Sequence, residues 1–147
     1  MKTIYRDITG HPGYRVGNDG SVWSRRNNRW GMTIQWRKLK PGRVKSGYTY
    51  ERLIIHLGNG QAHYVHHLVL DAFIGKRPPS HECCHINGDP CDNRAQNLMW
   101  GTRAENMRQM AQHGSKRGER HHRSKLNNQM VNEIRKRAAA GDTRKSI

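Results

Sequence analysis

The sequence predicts an α+β chain. A small antiparallel β module is expected over residues 1–60, a strand–loop–strand–helix unit within 61–114, and a basic linker with a terminal helix over 115–147. Three observations predict it. Residues 1–60 alternate short β-prone runs with dense turn chemistry. Residues 83–106 crowd His, Asn, Asp, Cys and Arg side chains between strand-like runs and a helix start. The whole chain is strongly basic, with 27 Lys plus Arg against 11 Asp plus Glu.

In the first module, turns are signalled by Gly10-His11-Pro12-Gly13, Gly17-Asn18-Asp19-Gly20, Pro41-Gly42, Ser46-Gly47 and Gly58-Asn59-Gly60. Between them, residues 14–16, 21–24 and 32–36 read as strands, and 48–57 is the clearest. There Tyr48, Tyr50, Arg52, Ile54 and His56 share one face, and Thr49, Glu51, Leu53, Ile55 and Leu57 the other. Gly58-Asn59-Gly60 then turns the chain into a second strand over 61–66, as in a hairpin. Residues 65–74 place Leu68, Val69, Ala72 and Phe73 at helical spacing, and Gly75 and Pro78-Pro79 end that helix.

The polar stretch continues the pattern. Glu82-Cys83-Cys84-His85 is a strand arriving at a loop, and Asn87-Gly88-Asp89-Pro90 is turn chemistry. Asn97-Leu98-Met99-Trp100 is the returning strand. Thr102 with Glu105 forms a capping box for a helix over 102–113, with Met107, Met110 and Ala111 on a buried side and Gly114 as its stop. Beyond a Lys, Arg and His-rich stretch at 115–125, Asn127 or Asn128 caps a helix to about residue 140.

Composition narrows the function classes. Hydrophobic residues are 33% of the chain and Phe occurs once, so the core is modest. A formal charge of +16 points to a polyanionic partner, nucleic acid above all. Trp23, Trp30 and Trp36 sit among Arg25, Arg26, Arg29, Arg37, Lys38 and Lys40. They read first as packing for a small sheet and second as base-stacking groups. Cys83, Cys84 and Cys91 are an odd number within nine residues, which is no disulfide framework and suggests a reducing compartment. The polar start and the lack of a long apolar run predict a soluble, intracellular, cytoplasmic protein away from membranes.

The stretch 83–106 suits phosphodiester hydrolysis assisted by one metal ion. A neutral imidazole, with an ordinary pKa of about 6.5, can take a proton from water at neutral pH. A divalent ion needs hard oxygen ligands, which an Asn in the first helical turn, such as Asn106, can supply. A second Asn is needed to tie the long loop across the strands.

These residues carry a family resemblance. His85-Ile86-Asn87-Gly88, Asp92-Asn93-Arg94, Asn97-Leu98-Met99-Trp100 and Thr102-Arg103-Ala104-Glu105-Asn106 together resemble the HNH (His-Me finger, ββα-metal) nuclease motif of phage and intron homing endonucleases, over residues 62–113. Tyr5-Arg6-Asp7-Ile8 and residues 13–24 are similar to the small N-terminal module of that family, which implies a DNA-associated β module. Residues 127–147 resemble the opening of a helix-turn-helix of the kind appended to such enzymes, with no recognition helix before Ile147.

The resemblance implies a ββα-metal core, a DNA endonuclease of homing type, and products with a 5′-phosphate and a 3′-hydroxyl. His85 is the implied general base, Asn97 the structural brace and Asn106 the metal ligand. Cys84 stands where many relatives have an Asp ligand. It ligates a softer ion, or Asn106 and water suffice, or Asp89 or Asp92 helps; its plain alternative is a small buried thiol. The expected ion is Mg²⁺ or Mn²⁺, with Zn²⁺ as the alternative. A structural zinc site from Cys83, Cys84, Cys91 and a His is disfavoured, because adjacent residues on a strand point to opposite faces.

Double-stranded DNA is the expected partner, bound by a monomer or homodimer. Candidate phosphate contacts are Arg94, Arg103, Arg108, His66, Lys116, Arg117, Arg120 and Arg123; His66 reads equally well as a structural hydrogen-bonding residue. His81 is the rival base. The rival functions are a non-catalytic DNA-binding protein on a degenerate nuclease scaffold and a phage packaging or restriction nuclease.

Overall fold

Short strands and tight turns fold the first half of the chain into two antiparallel sheets. The computed structural model describes residues 2–27, 31–46, 50–58, 60–113 and 125–141. The first sheet runs in chain order through β1 (Tyr5–Asp7), β2 (Tyr14–Gly17), β3 (Val22–Asn27) and β4 (Gly31–Lys38). The second holds β5 (Gly42–Ser46), β6 (Tyr50–His56) and β7 (Ala62–Tyr64). The strand expected over 48–57 is β6, and Tyr48 and Thr49 lie outside the described residues. The strand expected over 61–66 ends at Tyr64, because Val65 already opens the next helix. Ile54 pairs with Tyr64 across the turn between β6 and β7, where the Gly60 N–H donates to the Leu57 carbonyl at 2.8 Å.

Helix α1 (Val65–Phe73) is the element on which the core assembles. Its spacing puts Val65, Leu68 and Val69 inward. They join Ile8, Tyr14, Val16 and Val22 in and beside the first sheet, Ile55 and Leu57 in and beside the second, and Leu98 of the strand beyond, in one cluster. Arg6 donates to the Ala72 carbonyl at 2.6 Å and lies over the Phe73 ring, so the first strand is pinned to this helix. Trp23 and Trp36 stand outside that cluster. They flank the Arg15 guanidinium, whose carbon is 4.2 Å from the Trp36 ring centre and 4.3 Å from that of Tyr5. Trp30 lies outside the described residues.

The unit after α1 is a two-stranded ribbon, β8 (His81–His85) with β9 (Leu98–Thr102), followed by α2 (Arg103–Gln112). A turn of 3-10 helix, Ala95–Asn97, leads into β9. The antiparallel register pairs Cys83 with Trp100, Cys84 with Met99 and His85 with Leu98. Trp100 donates its indole N–H to the Gly75 carbonyl at 2.8 Å, which fastens the ribbon to the end of α1.

The chain divides into two compact units, Met1–Asn106 and Met107–Ile147. In the second, α3 (Asn128–Ala139) is capped by Asn127, whose side-chain oxygen accepts from the Met130 N–H at 2.8 Å. The buried side expected for α2 is absent among the described residues: none of its residues is fully buried, and Met107 is 51% exposed. Its first turn is held by polar groups instead, as described below. The stop expected at Gly114 and the stretch at 115–124 lie outside the described residues, except that the fold resumes at Lys125. No helix among the described residues is long and apolar enough to cross a membrane.

Candidate active site and metal centre

The loop between β8 and β9 is built from amide and carboxylate side chains that satisfy one another. Asn97 is buried at its end. Its Nδ2 donates to the Asn87 Oδ1 at 2.9 Å and to the Asp92 carbonyl at 2.8 Å, and its Oδ1 accepts from the Asn87 N–H at 3.0 Å. Its own carbonyl accepts from the Ile86 N–H at 2.9 Å. One amide therefore ties the start, middle and end of the loop. Asp89 accepts from the Cys91 N–H, and Asp92 is clamped by Arg94 through two contacts at 2.8 and 2.6 Å. That clamp, first of all, holds the Asp92 carboxyl down to about 2. Both carboxylates considered as auxiliary ligands are thus occupied within the loop. Arg94 remains exposed while it holds Asp92.

His85 ends β8 and is half-buried. Its Nε2 lies 3.2 Å from the Asn93 Oδ1. A carbonyl oxygen can only accept, so this bond places the proton on Nε2 and leaves the lone pair on Nδ1. Burial lowers the His85 pKa; the Asn93 bond and Asp89 oppose it, and Arg52 adds to it. The ring is therefore neutral at neutral pH. Asn93 is itself buried and hemmed by the first sheet: a Cβ on Gly20 would stand 3.0 Å from the Asn93 carbonyl oxygen. The Ala95 N–H donates to the Asn18 carbonyl at 2.8 Å, a further tie between module and loop.

Strand alternation sorts the other candidates onto two faces. Cys83 shares a face with His85, while Glu82 and Cys84 take the other. On that other face, Asn106, in the first turn of α2, donates Nδ2 to the Glu82 Oε2 at 3.2 Å. The capping box beside it is complete. The Thr102 N–H donates to Glu105 Oε2 at 2.7 Å, and the Glu105 N–H donates to Thr102 Oγ1 at 3.3 Å.

Cys84 is 1% exposed, and its sulfur would be 2.8 Å from a Cβ at Gly101, so the glycine makes room for it. Burial, then Glu82 and Glu105, raise its pKa and keep the thiol protonated. The packing is that of a small buried thiol. The carboxylate on this face comes from Glu82, two residues earlier. Glu82 was not among the residues expected from the sequence; counting alternate strand positions back from Cys84 places it on this face.

On the His85 face, His66 from the first turn of α1 approaches with its ring centre 5.4 Å from that of His85. His66, one of the candidate phosphate contacts, is 4% exposed and stacked on Tyr64. That burial takes it out of reach of a DNA backbone. His81 bonds the Pro79 carbonyl at the far end of β8. Arg103 and Arg108 are exposed on α2. Lys116, Arg117, Arg120 and Arg123 lie outside the described residues.

Comparison with known proteins matches the same segment. Residues 63–108 match the family described as HNH endonuclease. A protein of Acanthamoeba polyphaga mimivirus, the uncharacterised HNH endonuclease L247, is 32% identical over 102 residues. Those residues are 68% of this chain and 23% of the viral protein, so the chain spans under a quarter of that relative's length. Among solved structures, one of DNA binding and cleavage by the HNH homing endonuclease I-HmuI superposes with a TM-score of 0.57 at 26% identity. The match covers 92% of this chain and 68% of I-HmuI.

Proposed function

We propose, from the premise that residues 63–108 are an HNH endonuclease domain, that this chain hydrolyses phosphodiester bonds of double-stranded DNA with His85 as general base. The observation that carries this reading is the His85–Asn93 bond of 3.2 Å, which leaves Nδ1 with its lone pair on a ring that burial keeps neutral. A neutral imidazole so fixed can take a proton from water as the water attacks phosphorus. Asn97 keeps the loop, and with it His85, in place. The products of that attack are a 5′-phosphate and a 3′-hydroxyl, as in the family.

The second requirement is a divalent ion, and the donor set fits a hard one. Asn106 and Glu82 bring an amide and a carboxylate together on one side of the ribbon, oxygen chemistry that suits Mg²⁺ or Mn²⁺. When bound, such an ion supplies charge to the phosphate and the departing 3′ oxygen. Cys84 is not needed for this set. Exposed Arg94, Arg103 and Arg108 hold phosphates. Lys116, Arg117, Arg120 and Arg123 add positive charge for the same polyanion.

The similarity to I-HmuI and the N-terminal module support a homing role, with residues 1–60 as a DNA-associated module, 61–114 as the nuclease core and 115–147 as a basic extension. Cys84, sulfur where relatives have oxygen, favours one rival, a non-catalytic DNA-binding scaffold. Plasmid DNA incubated with each of Mg²⁺, Mn²⁺, Ni²⁺ and Zn²⁺ separates the two. Nicked or linear product from the wild type, reduced about 10²- to 10⁴-fold in His85→Ala with binding retained, supports the nuclease. Tight binding without cleavage under every ion supports the scaffold.

A further inference from the structure

We propose that His66, Cys83 and His85 form a second cation site, selective for soft ions such as Zn²⁺, and that an ion held there silences the nuclease by occupying its base. The silencing rests on the reading of His85 above; the site itself does not. The three residues each offer one ligand atom, and these atoms lie within 4.8 Å of one another. Around a tetrahedral Zn²⁺, with bonds of about 2.0–2.3 Å, ligand atoms stand roughly 3.3–3.6 Å apart. Closing from the observed spread takes a movement on the order of 1 Å, within the range of small side-chain rotations.

A second observation points to a ligand at the same ring. The His66 Nδ1 is buried with no hydrogen-bond partner, on a ring that is 4% exposed. Buried polar atoms of this kind are uncommon and ask for an occupant. Cys83 and His85 stand two apart on β8, so both side chains leave the same face of the strand, and α1 brings His66 against them.

Chemistry separates this site from the oxygen pair. Thiolate and imidazole prefer Zn²⁺ and its neighbours, whereas Mg²⁺ prefers carboxylate and amide oxygen. One strand thus presents nitrogen and sulfur on one side through Cys83 and His85, and oxygen on the other through Glu82. The other cysteines do not compete. Cys84 faces away, and the Cys91 thiol is turned to the Glu51 carbonyl at 3.5 Å. Three protein ligands also leave a fourth position, which water can fill.

The test titrates Co²⁺, a spectroscopic stand-in for Zn²⁺, into the full chain. The expected result is a thiolate-to-cobalt charge-transfer band that Cys84→Ala and Cys91→Ser keep and Cys83→Ser loses. Cys83 packs against the core, so Cys83→Val, which retains apolar bulk, guards against a folding defect. A band that depends on Cys84 alone, or no band, overturns the site. The second arm adds Zn²⁺ to Mg²⁺-driven cleavage, each variant scaled to its own zinc-free rate. The inhibitory midpoint is expected to rise at least about tenfold in Cys83→Val. An unchanged midpoint overturns the silencing. If the wild type fails to cleave DNA under every ion, the nuclease reading fails, and the cobalt spectrum still decides the site.

Discussion

The Asn106 amide donates to the Glu82 carboxylate at 3.2 Å, across the gap between the first turn of α2 and the middle of β8. The contact brings one carboxylate to the helix side of the ribbon. Cys84, next to His85, is packed against Gly101, while Glu82 reaches the first turn of α2. Glu82→Gln keeps shape and a hydrogen bond but removes the charge. It is expected to weaken Mn²⁺ binding by about 10- to 100-fold, read by the paramagnetic signal of free Mn²⁺. Cys84→Ala is expected to stay within about twofold of wild type on the same scale. The reverse ranking would move the ion to Cys84.

Asn97 should matter for stability as much as for activity. Its side chain makes three hydrogen bonds inside the loop, to two different partners at the loop's start and middle. Asn97→Ala leaves the Asn87 N–H and the Asp92 carbonyl without it, at a cost of about 2–4 kcal/mol by the usual penalty for orphaned polar groups. Urea unfolding gives the value. A loss below about 0.5 kcal/mol would mean that water replaces all three bonds and that the brace is not structural.

Acid should unfold the protein partly through His66. Burial first, then His67, His85 and Arg52, push its pKa down to about 3. The unfolded value is about 6.5. As pH falls from 6.5 the unfolded chain takes a proton that the folded chain refuses. Stability is therefore intact above about 6.5 and is lost progressively down to about 3, with a slope of up to about 1.4 kcal/mol per pH unit from this residue. Replacing it, as in His66→Leu, should flatten the dependence of urea midpoints on pH between about 6.5 and 4. Parallel dependences in the two proteins would show that His66 binds its proton equally in both states.

What was legible in the sequence was whatever depends on short-range spacing. The Thr102–Glu105 capping box, the Asn127 cap, the end of α1 near Gly75 and the strand pair around the polar loop follow from neighbours a few residues apart. What depends on face and on distant packing was harder to read. Glu82 gains meaning only when β8 is laid against α2, and His66 only when α1, nineteen residues upstream of His85, is folded over the ribbon. Burial of Ile55, Leu57, Val65 and Leu98 in one cluster likewise joins segments that local pattern treats separately. The apolar positions of α2 misled because its first turn is held by Glu105 and Asn106, through hydrogen bonds that hydrophobic spacing does not register.

The bond between His85 and Asn93 yields the sharpest expectation about activity. With His85 as the proposed base, cleavage needs the neutral imidazole, so the rate should fall as pH drops through the His85 pKa. Burial places that value below the ordinary one, so the acid limb should lie below about 6.5. Asn93 acts in the opposite sense: its oxygen supports the protonated ring and raises the pKa. Removing it in Asn93→Ala should therefore move the acid limb further down. The same change frees the ring to adopt the other tautomer, so the plateau rate should drop by about 10- to 100-fold, less than removal of the base itself. A positioning role predicts both effects together. A purely structural role predicts a lower plateau with the limb unmoved, and a limb that shifts upward would show that the Asn93 oxygen does not face the His85 N–H.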